Sequence, residues 1–182
     1  MHYFAYGSNM ALARLRQRIP SARRIGVAWL RGHRLAFRVA STRDGSAKCD
    51  ACPTGDGELL WGVLYRVEPA DKPILDRYEG TGVEYRDALL EVELEGCDGI
   101  EALIYLGTNL DPDLRPYPWY VEHVVRGAEE NHLPADYIAA IRAVPTIPDP
   151  DPQRALRELS IYAEDGSSTS LCSYEPQLRP NR

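Results

Sequence analysis

The stretch that most limits how this chain can fold lies at its start. Tyr3-Phe4-Ala5-Tyr6 is aromatic and uncharged and reads as a strand. Ala11 to Arg18 reads as a helix, with leucines at 12 and 15 and arginines at 14, 16 and 18. Gly7-Ser8-Asn9 lies at the junction, so strand passes to helix in one tight turn. Gly7 is expected to supply a backbone conformation that other residues resist, and Ser8 or Asn9 to cap the helix. Such a turn aims unpaired backbone N–H groups and the positive helix end at one point. That point suits a carboxylate, a phosphate or a polarised carbonyl oxygen.

The chain has 182 residues, enough for one domain with a real core. Its net charge of -6 and pI near 5.3 give it no general attraction for nucleic acid or an anionic membrane surface. No apolar run approaches the ~20 residues of a membrane span. The start, Met-His-Tyr-Phe-Ala-Tyr, lacks the basic and apolar regions of a signal peptide, so a cytoplasmic location is expected. Only Lys48 and Lys72 are lysines, which leaves few amines for Schiff-base chemistry. Cys49-Asp50-Ala51-Cys52 is a CxxC, but neither a second pair nor a nearby histidine completes a zinc set. It reads as two unrelated thiols near a strand end. Neither a metal nor a cofactor is expected.

Further along, Arg24 to Trp29 and Arg34 to Val39 read as strands, and residues 41–58 as turn-rich and polar. Leu59 to Val67 is apolar enough for a central strand. A short helix from about Ala70 to Glu79 should end at Gly80. Glu84 to Leu94 alternates as a strand, Gly96-Cys97-Asp98-Gly99 reads as a hairpin turn, and Ile100 to Leu106 as the return strand. A helix is expected from Trp119 to Glu130 with Asn131 as its cap, and another from Leu133-Pro134 through Val144. Past Pro145 prolines alternate with aspartates, and the Ser/Thr/Pro-rich end reads as mobile or peripheral. Together these elements imply an α+β fold, a small and mostly antiparallel β-barrel flanked by helices. The division is a domain over residues 1–145 and an extension over 146–182.

Glu79 is the sharpest chemical candidate. It lies four residues after Leu75 and so shares that inward side of its helix. Burial and the negative helix end would both raise its pKa, as a general acid or base requires. The plainer alternative is a glutamate that curls out to solvent beside Arg77 or Arg86. Asp76 lies about 100° round the helix and is expected in solvent. Ser8 has neither a Gly-x-Ser-x-Gly elbow nor an evident histidine partner, so it reads as a hydrogen-bonding or capping residue. Gly-x-x-x-x-Gly-Lys is absent, which argues against nucleotide binding. His2, His33, His123 and His132 show no metal-ligand spacing. Tyr120 reads as core, with a ligand-facing hydroxyl as the alternative.

Taken together, several segments resemble the γ-glutamylcyclotransferase family (the AIG2-like and BtrG-like group). Tyr3 to Met10 is similar to its opening motif, and Trp61-Gly62-Val63-Leu64-Tyr65 to its central strand. Leu75 to Gly80, followed by Tyr85-Arg86, resembles the segment that holds its catalytic glutamate. Tyr105 to Asn109 and the run from Tyr120 to Pro134 also fit. The likeness spans roughly residues 1–145. It does not extend to segment 41–53 or to the tail after Pro145.

The resemblance implies that Glu79 is the acid/base, that Tyr6, Gly7, Ser8 and Asn9 form the substrate-binding loop, and that Tyr120 lies at the pocket. The implied partner is a small γ-glutamyl amide. Its α-amine would attack its own γ-carbonyl, giving 5-oxoproline and a free amine or amino acid without a cofactor. Two alternatives stand beside this. One is a cyclotransferase for γ-glutamylamines or γ-glutamyl-protected natural products. The other is a non-catalytic small-molecule-binding module of the same fold. The oligomeric state is left open.

Overall fold

The computed structural model describes residues 1–55 and 57–163. The Ser/Thr/Pro-rich end, residues 164–182 with Cys172, lies outside the described residues. Five strands close into a barrel in the order β1 (His2–Ala5), β5 (Leu59–Arg66), β2 (Arg23–Arg31), β6 (Tyr85–Leu94), β7 (Cys97–Gly107). Where β7 meets β1 the pair is parallel, with Tyr3 opposite Leu103; the other neighbours in the barrel are antiparallel. β5 is central, flanked by β1 and β2, and buries Leu60, Val63, Leu64 and Tyr65. That is the environment its continuous apolar run calls for.

Two expectations about strands are corrected. The segment 41–58, read as turn-rich, contains strand β4 (Ala47–Pro53), which pairs with β3 (His33–Ala40) in a two-stranded ribbon outside the barrel. Its polar residues hid the strand. Buried Asp50 is satisfied by Arg38 Nε at 2.7 Å and the Gly107 N–H at 3.1 Å, and Lys48 pairs with Asp44. The β6–β7 hairpin turns at Glu95–Gly96 rather than across residues 96–99. Leu94 already pairs with Cys97, and a register shift takes up the extra residue.

Helix α1 (Leu12–Arg18) follows a short 3-10 turn, Ser8–Met10. Helix α2 (Lys72–Glu79) ends at Gly80 in the left-handed conformation, φ 62°. Helix α3 (Pro118–Glu130) ends at Asn131, whose side-chain amide donates to the carbonyls of Gly127 (2.8 Å) and Met10 (3.2 Å). Helix α4 (Ala135–Arg142) follows. Among the described residues no helix is long and apolar enough to cross a membrane.

Residues 149–162 dock on α1 and α3. Asp149 accepts from the Trp119 indole at 2.7 Å, and helix α5 (Arg154–Leu159) brings Glu158 to Arg14 at 3.0 Å. Arg14 also donates to Nε2 of fully buried His123, so Nδ1 carries the ring proton and donates to Tyr162 at 2.7 Å. Burial pushes this imidazole down to about 4, so it is neutral at pH 7.

The turn after β1 is seated on α3 through Gly127. A Cβ there would lie 2.5 Å from the Ala11 nitrogen and 2.6 Å from Met10 Cβ. Gly127→Ala should therefore push α3 off the turn and cost about 1–3 kcal/mol. Thermal unfolding followed by circular dichroism should show Tm falling by about 2–4 °C for each of those kcal/mol. An unchanged Tm would mean that the helix slides without strain.

Candidate active site

β1 ends at the barrel mouth, and the turn beyond it forms the floor of a cleft lined by Tyr6, Gly7, Ser8, Asn9, Glu79 and Tyr120. The six residues expected as acid/base, substrate loop and pocket tyrosine thus meet around one opening. The cleft continues into a more polar outer chamber of about 200 Å³, whose walls include Arg14, Arg18, Arg43, Lys48, Glu84 and Glu158.

The turn does not work as its sequence suggested. Gly7 has φ -118°, outside the left-handed region, and neither Ser8 nor Asn9 caps a helix with its side chain. Space is tight at Gly7 instead: a Cβ would sit 3.1 Å from Cys49 Cβ and 3.3 Å from its sulfur, where β4 crosses, so Cys49 would have to give by a few tenths of an ångström. Nor does the positive end of α1 face the cleft, because the Leu12 N–H donates to Glu130 Oε1 at 2.6 Å. What faces it is the turn itself. Among the described residues, the backbone N–H groups of Ser8 and Asn9 donate to no protein acceptor, whereas that of Met10 is used by the Gly7 carbonyl.

Glu79 points inward, keeping 17% side-chain exposure at the cleft. Asn9 Nδ2 donates to its Oε1 at 2.8 Å and to the Tyr3 hydroxyl at 2.9 Å, while Arg18 donates to Asn9 Oδ1 at 2.9 Å. Burial raises the Glu79 pKa above its ordinary 4.5; Arg18, Arg14 and Arg43 pull it back down. Asp76 corrects the sequence reading. Instead of standing free in solvent it accepts from the Tyr105 hydroxyl at 2.8 Å and pairs with Lys72.

Tyr120 serves both of its alternatives. Its ring is buried among aromatic neighbours, and its hydroxyl reaches the cleft, where it accepts from the Cys49 N–H at 3.1 Å. Tyr85 donates to the Cys49 carbonyl at 2.6 Å, so two phenols grip one ribbon residue. The Tyr6 hydroxyl donates to the Tyr105 carbonyl. Burial drives the phenols of Tyr3, Tyr6, Tyr85 and Tyr120 upward, so they stay protonated.

The CxxC thiols are free, and burial pushes that of Cys49 up to about 12, which makes it a poor nucleophile. Among the described residues no three His, Cys, Asp or Glu side chains converge as metal ligands. Sequence reasoning missed Tyr3, Tyr105, Cys49 and Arg18 as cleft residues. A signal existed for one of them: Arg14 and Arg18 are four apart and so share a face of α1.

Comparison with known proteins agrees with this geometry. The AIG2-like family model matches residues 59–141. The human protein "Gamma-glutamylcyclotransferase" is 31% identical over 147 residues, 78% of this chain and 77% of that protein; its mouse counterpart is 32% identical over 149 residues with the same coverage. A solved "Gamma-glutamyl cyclotransferase" superposes with a TM-score of 0.75 at 28% identity, over 81% of this chain and 89% of that one. With such a relative matched across most of both chains, this protein belongs to the γ-glutamylcyclotransferase family.

Proposed function

We propose that the chain is a working γ-glutamylcyclotransferase that closes a γ-glutamyl amide on itself. The substrate's α-amine attacks its own γ-carbonyl carbon and the bond to the amide nitrogen breaks. One proton moves from the attacking to the leaving nitrogen. The products are 5-oxoproline and a free amine or amino acid. Nucleophile and electrophile are already in one molecule, so the protein's work is to fold the substrate and move that proton. Positioning of this kind is worth up to ~7–11 kcal/mol in favourable cases.

One observation carries the reading. A single desolvated carboxyl, Glu79, stands in the same cleft as the unused N–H groups of Ser8 and Asn9. As carboxylate, Glu79 takes the proton from the α-amine; as acid, it returns it to the leaving nitrogen. The turn's N–H groups bind an oxygen of the γ-glutamyl moiety, where donors fixed in advance cost no reorganisation. Ser8 acts here through its backbone, since His123, the one buried histidine among the described residues, is tied to Arg14 and Tyr162 and lines neither part of the cleft.

Glu79→Gln should bind a γ-glutamyl amide but release 5-oxoproline about 100- to 10,000-fold more slowly. Undiminished release by that variant would remove Glu79 from the mechanism. A panel of γ-glutamyl amides with amine and amino acid leaving groups, assayed for 5-oxoproline, tests the reaction itself. A flat panel with retained binding would identify a binding module instead.

The base form of Glu79 is the deprotonated one, and its pKa is raised. The acid limb of kcat/KM should therefore lie above pH 4.5, with activity rising as pH climbs through it. A limb at or below the ordinary glutamate value would mean that another group takes the proton.

A further inference from the structure

The side-chain amide of Asn9 is placed between a cation and a carboxyl, and its two ends are not equivalent. An arginine can only donate, so the Asn9 atom that faces Arg18 at 2.9 Å must be its carbonyl oxygen. The NH2 end is thereby turned to Glu79 at 2.8 Å and to Tyr3 at 2.9 Å. If that cation were absent, the amide could rotate by half a turn and present its oxygen to Glu79. An oxygen there is compatible only with a protonated carboxyl.

Arg18 is itself well held. It is the last residue of α1, its side chain is 12% exposed, and its guanidinium lies 4.8 Å from the ring centroid of Tyr78, the residue before Glu79. Its Nη1 stands 4.0 Å from Glu79 Oε1, too far to replace Asn9 as the direct donor.

We propose that Arg18 is the positioning residue for Glu79: by fixing which end of the Asn9 amide faces the carboxyl, it makes that carboxyl a base. This rests on the reading of Glu79 as the proton-transfer group. Other charges also face Glu79, namely Arg14 on α1, Arg43 on the loop after β3, and Glu84 just before β6, and Lys48 of β4 lines the same outer chamber. The phenols of Tyr3, Tyr6, Tyr85, Tyr105 and Tyr120 and the Cys49 thiol share its cleft from β1 and its turn, β6, β7, α3 and β4. Arg14 is neutralised by Glu158, and Arg43 donates to the Arg77 carbonyl. Neither touches Asn9, so neither sets its amide.

The test compares Arg18→Met and Arg18→Lys with the parent protein. In Arg18→Met the acid limb of kcat/KM should move up by about 1–3 pH units, with activity largely recovered well above it. Arg18→Lys keeps a donor and a charge, so its limb should move upward by less. The same displacement should appear without turnover, in the carbon-13 titration of the Glu79 carboxyl, assigned by its loss in Glu79→Gln. A fall in rate at all pH values with the limb and the titration unmoved would overturn the assignment and leave Arg18 a packing residue. If Arg18→Met does not fold, Arg18→Lys decides by the same displacement. Absence of 5-oxoproline from any substrate, with the titration displaced, would count against the reaction and not against Arg18.

Discussion

The structure depends on how closely other elements approach the turn between β1 and α1. On one side α3 comes so near that residue 127 has no room for a methyl group beside Met10 and Ala11. On the other, β4 crosses near enough that a methyl group at residue 7 would crowd Cys49 at 3.1 Å. Tyr65 and Asn131 then bond the Met10 carbonyl from below, at 2.6 and 3.2 Å. A turn of three residues is thus held by three other elements, and Ser8 and Asn9 line the cleft with their backbone N–H groups unused among the described residues. Donors that stay put when charge develops are what an anionic transition state needs.

The second constraint is electrostatic. Glu79 is desolvated by the barrel mouth, yet it is surrounded by arginines that are themselves engaged: Arg14 with Glu158 and His123, Arg18 with Asn9, and Arg43 with a backbone carbonyl. Burial and positive charge oppose each other at this carboxyl. A group balanced in that way can hold or release a proton at modest cost, which a fully solvated or a fully paired carboxylate cannot.

Much of this was legible in the sequence. The strand run at 59–67, the glycine stop after Glu79 and the position of Glu79 on the side of Leu75 all followed from periodicity, because each is a local consequence of apolar spacing. The role of Gly7 was not legible, since the atoms that would crowd a side chain there belong to Cys49, forty-two residues away on the β3–β4 ribbon. Strand β4 was hidden for a related reason. Its polar side chains look like loop chemistry until Arg38 and Gly107 are brought to Asp50. The destination of the Asn9 side chain, a carboxyl on α2 rather than its own helix, needed the fold as well.

The ribbon of β3 and β4 pairs with itself and not with the barrel, yet it supplies one wall of the cleft. Its hold on the barrel strands runs through side chains, with two phenols on the backbone of Cys49 and Asp50 on Gly107, while backbone bonds tie it to the segment after β7: Ala40 N–H to the Asn109 carbonyl at 2.8 Å, Asp111 N–H to the Arg38 carbonyl at 2.7 Å and Ala47 N–H to the Arg115 carbonyl at 3.1 Å. A wall that lies outside the barrel ladder can change its length or charge with no strand of the barrel shifting register. The carboxyl at the barrel mouth and the ribbon wall beside it are therefore separable parts. The second can diversify under selection while the first is kept.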